Sequence, residues 1–107
     1  MLISVVIPCY NSADTLDACL NSLFNQTYRD IEIICINDGS TDETNNKLLS
    51  LEKKSPFPFC IINEKKSGAN FARNKGIELS KGNYIQFMDS DDYLLPTKIE
   101  NHGFQFL

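Results

Sequence analysis

The sequence is short of positive charge: ten Lys and Arg stand against fourteen Asp and Glu, a formal charge of −4 over 107 residues. A protein that grips nucleic acid through its phosphate backbone needs the opposite balance, so nucleic acid is excluded as a partner and any anionic ligand needs a local device. Long hydrophobic runs are missing too. None approaches the ~18–20 apolar residues that a membrane-spanning helix requires, and the start Met1-Leu2-Ile3-Ser4-Val5-Val6 has no basic stretch of a secretory signal. The expectation is a soluble, cytoplasmic chain.

Other absences narrow the chemistry. Cys9, Cys19, Cys35 and Cys60 have no C-x-x-C spacing, which argues against a zinc or disulfide framework and for small buried hydrophobes. His102 is the only histidine and has no evident nucleophile beside it, so no Ser-His or Cys-His pair can be drawn. None of the five glycines forms a G-x-G-x-x-G, so the dinucleotide fingerprint is absent. Asp38-Gly39-Ser40-Thr41-Asp42 imitates the start of a calcium-binding loop, but Glu43 stands where the turn glycine belongs and Leu49 where the bidentate glutamate belongs.

What is present is an ordinary globular balance, 42% hydrophobic and 22% charged, in a length that suits one core without staples. The apolar pattern alternates between strand and helix. Ile3 to Ile7 is a β-branched run expected to stop at Pro8, and Ile31 to Ile36 is a second such run. Between them Leu16, Cys19, Leu20, Leu23 and Phe24 fall on one stripe of a helix. Ser40 and Glu43 form a capping-box pattern ahead of a helix reaching about Lys53, and Phe59 to Ile62 gives a third strand.

A third helix is expected from Ser67 to Ser80, with Gly82 as its stop and with Ala69, Ala72, Gly76 and Ile77 as a small-residue face against a sheet. Tyr84 to Met88 is the fourth strand, and Pro96 opens a last helix over Thr97 to His102. The order predicts an α/β fold, a Rossmann-like three-layer α/β/α arrangement with a mainly parallel sheet. The final Phe104-Gln105-Phe106-Leu107 is apolar, unlike a solvated terminus.

In an open parallel sheet, ligands bind beyond the carboxyl ends of the strands. Those ends carry Pro8-Cys9-Tyr10-Asn11, Asn37-Asp38-Gly39-Ser40, Asn63-Glu64-Lys65-Lys66 and Asp89-Ser90-Asp91-Asp92. Three carboxylates within four residues repel one another unless a cation or protons relieve them, and hard oxygen ligands suit Mg²⁺ or Mn²⁺. Strand-like alternation would aim Asp89 and Asp91 together and Asp92 elsewhere; the plain alternative is a solvated acidic turn. Arg73 has the planar fork that binds phosphate oxygens, or it is a surface ion-pair residue. Asp38 is either an acceptor for a base or ribose or a turn residue before Gly39, and Tyr10 either stacks on a base or covers the sheet edge.

Taken together, Val6-Ile7-Pro8-Cys9-Tyr10-Asn11, Asn37-Asp38-Gly39-Ser40-Thr41-Asp42, Gly68 to Gly76 (GANFARNKG) and Phe87-Met88-Asp89-Ser90-Asp91-Asp92 resemble the family 2 glycosyltransferases of the GT-A fold. The resemblance implies an inverting transfer of a sugar from a nucleoside diphosphate donor, most often a UDP-sugar, to a glycan or lipid-linked acceptor, with Mn²⁺ or Mg²⁺. It implies that Pro8, Tyr10, Asn11, Asp38, Arg73, Asp89 and Ser90 border the nucleotide, and that Asp89 and Asp91 form the D-x-D metal element. It also implies that residues 1–107 are a single donor-binding domain at the N-terminus of a longer enzyme whose general base lies beyond Leu107, with peripheral attachment to the inner face of a membrane open to the parent. Rival readings are a non-catalytic nucleotide-binding module, a sugar nucleotidyltransferase, which would need a glycine-rich loop after the first strand, and a dehalogenase-like phosphatase, whose D-x-D would follow the first strand.

Overall fold

The computed structural model describes residues 1–103, with side chains through Asn101; the apolar segment Phe104 to Leu107 and the side chain of His102 lie outside the described residues. Strands β1 (Ile3–Cys9), β2 (Ile31–Asp38), β3 (Phe59–Glu64) and β4 (Tyr84–Phe87) alternate with helices α1 (Leu16–Phe24), α2 (Thr44–Lys54) and α3 (Ala69–Leu79), and a short α4 (Lys98–Gly103) follows. The strands form one sheet in the order β3-β2-β1-β4, and every pairing is parallel. The expected α/β layering is therefore the observed one.

The two-residue period of the central strands builds the layers. Ile3, Val5, Ile7 and Cys9 of β1, with Ile31, Ile33 and Cys35 of β2, meet Leu16, Cys19, Leu20 and Leu23 of α1 and Leu48 and Leu51 of α2. Val6, Ile34 and Ile36 point the other way, onto Ala72 of α3. Each fully buried Leu or Ile contributes roughly 1.5–3 kcal/mol of transfer free energy, so the α1 stripe alone accounts for much of the attachment of that layer. The opposite layer depends on closeness. A Cβ added to Gly76 would lie 2.2 Å from Val6 Cγ1, so glycine is required there by packing.

Several local expectations are corrected. Pro8 does not end β1, which runs to Cys9. Val6 O accepts the Met88 amide on the β4 side, and the two-residue period turns Pro8 to that same side, where β4 has already ended at Phe87. The missing N–H therefore removes no ladder bond.

The capping box does not form. Helix α2 starts at Thr44, Ser40 Oγ donates to Asn37 Oδ1 at 2.5 Å, and Glu43 Oε2 takes Asn46 Nδ2. Asp42 takes the first amide of the helix instead, its Oδ1 accepting the Thr44 amide at 3.0 Å, while its Oδ2 accepts the Ala13 amide of the loop after β1 at 3.3 Å. The Thr44 hydroxyl first, and these amides after it, hold the Asp42 carboxyl below its usual range.

Gly82 is not the stop of α3, which ends at Leu79; Gly82 lies against β1, where a Cβ would meet Ser4 Oγ at 2.5 Å. On α3 the inner face is Ala72 and Gly76, while Ala69 and Ile77 are exposed. Of the four thiols, all free, Cys9, Cys19 and Cys35 are buried as expected and Cys60 is exposed.

Candidate functional site

The carboxyl ends of β1, β2 and β4 and the start of α3 surround a cleft of roughly 190 Å³ lined by Pro8, Cys9, Tyr10, Asp38, Lys66, Ala69, Arg73, Asp89 and Ser90. Parallel pairing in register brings Cys9 beside Asn37 and Asn37 beside Asn63, which gathers loops far apart in sequence on one edge. Six of the expected nucleotide residues, Pro8, Tyr10, Asp38, Arg73, Asp89 and Ser90, share this cleft. Asn11 does not line it. Its backbone has a left-handed φ of 46°, a conformation Asn tolerates better than most residues, and its side-chain oxygen accepts the Thr41 amide at 2.8 Å. Asn11 thus ties the β1 loop to the β2 loop.

Asp38 is buried and already engaged. Its Oδ1 accepts the Ser67 amide at 2.7 Å, and its Oδ2 accepts the Gly68 amide at 3.0 Å and faces Lys66 Nζ at 3.4 Å. Burial raises the carboxyl, but the two amides and the Lys66 ammonium outweigh it, and the net displacement is below the ordinary value of 3.8. The basic partner that sequence neighbours did not offer comes from 28 residues away. Gly39 helps to seat it: at φ +71° it lets the Lys66 backbone approach so closely that a Cβ would lie 2.6 Å from Lys66 N. Lys66 Nζ then rests 3.9 Å from the centroid of the Tyr10 ring.

Across the cleft, β4 runs into a turn in which the Asp92 amide donates to Asp89 O at 2.9 Å and Asp92 Oδ2 accepts the Asp89 amide at 2.8 Å. The expected strand-like alternation fails here because β4 has ended, and Asp92 does not point away. Asp89, Asp91 and Asp92 each place a carboxylate oxygen within 4.8 Å of the others, all exposed. A divalent cation with a preference for oxygen fits that donor set. Arg73 faces this cluster, its Nη2 3.5 Å from Asp89 Oδ1.

Ser90 is anchored to Ser12 through hydroxyls 2.6 Å apart, and the Ser12 amide donates to Thr44 Oγ1 at 2.8 Å, so the acidic turn is pinned to β1 and α2. The thiols beneath are poor nucleophiles. Burial first, then Cys9 and the acidic turn, push Cys19 up to about 12, and burial with a Cys9 contact raises Cys35 well above its ordinary value.

Sequence reading missed Gln26, which is buried under the segment after the acidic turn. Its Nε2 donates to Leu95 O at 2.8 Å and Ser22 O at 3.1 Å, while its Oε1 accepts the Ile99 amide at 3.1 Å. A polar residue one turn past an apolar helical stripe was the available signal. Glu100 does not line the cleft, and it accepts the Thr27 hydroxyl at 2.8 Å.

Comparison with known proteins agrees with this geometry. The sequence model described as "Glycosyl transferase family 2" matches residues 4–102. The chain is 44% identical over 100 residues to the Escherichia coli UDP-Glc:alpha-D-GlcNAc-diphosphoundecaprenol beta-1,3-glucosyltransferase WfaP, covering 94% of this chain and 39% of that protein. It is 47% identical over 97 residues to the poly(ribitol-phosphate) beta-glucosyltransferase of Bacillus spizizenii, covering 88% of this chain and 15% of the relative. Among solved structures, residues 1–349 of S. aureus TarS in complex with UDP superimpose with a TM-score of 0.87 at 27% identity, over 96% of this chain and 31% of that one. The chain thus spans under two-fifths of each of these proteins.

Proposed function

Because the chain belongs to glycosyl transferase family 2, we propose that it is the donor-binding part of an enzyme that transfers a sugar, with inversion, from a UDP-sugar to an acceptor hydroxyl. One observation carries this reading: a single cleft joins an aromatic ring, a buried carboxylate, an arginine fork and Asp89, the member of a three-carboxylate cluster that lines it. That set matches the parts of a nucleoside diphosphate. Tyr10 and Pro8 offer a surface for the base, Asp38 and the loop it holds define the base end, and Arg73 reaches toward the phosphates. Asp89 and Asp91, with Asp92 beside them, would hold Mn²⁺ or Mg²⁺; such an ion neutralises a diphosphate as it departs.

The relatives support the donor and the acceptor class. S. aureus TarS has been crystallised with UDP and with UDP-GlcNAc, and the E. coli relative takes its name from UDP-Glc and a diphosphoundecaprenol-linked sugar. We extend this to a glycan or lipid-linked acceptor, a general base supplied from outside residues 1–107, and a single donor domain in this chain. The four free thiols suit a reducing, cytoplasmic setting, and a lipid-linked acceptor would bring the whole enzyme to the membrane surface.

Calorimetric titration of UDP with and without Mn²⁺ tests the reading. Binding is expected to tighten with the metal, and Asp91→Ala is expected to abolish that gain without unfolding the chain. Equal affinity in both conditions would remove the metal from the proposal, and absence of binding to any nucleoside diphosphate would overturn it.

A further inference from the structure

The cleft is too small as it stands. Its volume of roughly 190 Å³ falls below the ~300 Å³ at which sites for small molecules usually begin. The space nearest the base end is occupied by the protein itself, because Lys66 Nζ lies 3.9 Å from the Tyr10 ring centroid and both residues line the cleft. A base stacked on that ring and an ammonium over it cannot share the same face.

We infer that Lys66 is a displaceable occupant of the aromatic platform, and that nucleotide binding exchanges its contact with Tyr10 for base stacking. The inference rests on the nucleotide reading above and adds to it a residue that governs access. The geometry separates a fixed part from a movable one. The Lys66 backbone is held by the close approach of Gly39 and by the amides of Ser67 and Gly68 on Asp38. The side chain is not: it is 52% exposed, and its link to Asp38 is a long 3.4 Å contact. A half-exposed cation–π contact is weaker than base–aromatic stacking, so the exchange runs in favour of the base. Asp38 keeps its two amides when Lys66 leaves, so the loop does not collapse.

The test uses uridine, which lacks phosphates that a free lysine would attract, alongside UDP. In the ligand-free protein the ε-methylene protons of Lys66 are expected upfield of their ordinary NMR position, shielded by the Tyr10 ring, and to return toward it as uridine is added. Lys66→Ala is expected to bind uridine about two- to fivefold more tightly, the size of an exposed cation–π contact. In a Tyr10→Leu background the same substitution is expected to give no gain. Unshielded Lys66 protons in the free protein, or a Lys66→Ala variant that binds uridine equally or more weakly, would overturn the inference while leaving the nucleotide reading in place. Failure of both the native chain and Lys66→Ala to bind UDP would overturn the nucleotide reading and this inference with it.

Discussion

The carboxylate of Asp38 accepts the backbone amide of Ser67 at 2.7 Å across 29 positions of sequence. Through it the end of β2 holds the loop that opens α3, and with that loop the two cations of the cleft, Lys66 and Arg73.

Asp38 makes stability depend on acid in a defined direction. Its folded carboxyl titrates below the ordinary 3.8, so its contribution is fully present above the unfolded value and is lost as pH falls through the folded one. Thermal melts at pH 7 down to pH 2 should show Asp38→Asn less stable at neutral pH, with a smaller loss on acidification than the native chain. Parallel profiles for the two proteins would refute the assignment.

Arg73 is expected to act on the phosphates and not on the fold. Arg73→Ala should keep the melting temperature within a few degrees, since Arg73 contacts the Asn70 side chain at 3.3 Å and Asp89 at 3.5 Å, both exposed groups. UDP affinity should fall about tenfold or more, and the loss should shrink as salt is raised. Uridine affinity should not change.

Gly76 puts helix propensity and packing in opposition. Alanine would improve α3 by about 1 kcal/mol, yet its Cβ would enter the space of Val6 Cγ1, and overpacking of that kind costs ~1–3 kcal/mol. Urea denaturation should therefore find Gly76→Ala destabilised, and Val6→Ala in the same chain should recover part of the loss.

Gln26 secures the segment that follows the acidic turn. Gln26→Leu leaves the Leu95 carbonyl and the Ile99 amide without these partners, a cost of roughly 1–3 kcal/mol per unsatisfied buried group. Hydrogen exchange should rise over residues 94–101 more than over β1 and β2. A uniform rise across the sheet would point to a general loss of packing.

Most of the architecture was legible because it is local. The β-branched runs at Ile3 to Ile7 and Ile31 to Ile36 and the Leu16 to Phe24 stripe each carry their own period, and their alternation allows few topologies. The polar ends of the strands followed directly, and with them Pro8, Tyr10, Asp38, Arg73, Asp89 and Ser90 as neighbours in one cleft. Local rules failed where a competing contact came from elsewhere. Ser40 and Glu43 match a capping box, but Asn37 and Asn46 claim their side chains and Asp42 takes the first amide of the helix in their place. Gly82 looks like a helix stop, but its role is to let Ser4 approach.

The sequence by itself determined the order of strands and helices, the central burial of β1 and β2, and the presence of an acidic triplet and an arginine at one edge, since these follow from periodicity and from the polarity of strand ends. Only the tertiary structure decided how those groups face one another. It turned Asp92 back onto Asp89, spent Asn11 on joining two loops, and set Lys66 between Asp38 and the Tyr10 ring. The physical reason is that each of the last two arrangements is a hydrogen bond or charge contact between residues about 30 or more apart, and the first depends on where β4 stops. No local pattern encodes the two long-range pairings, whose loops the parallel register of the sheet brings to one edge.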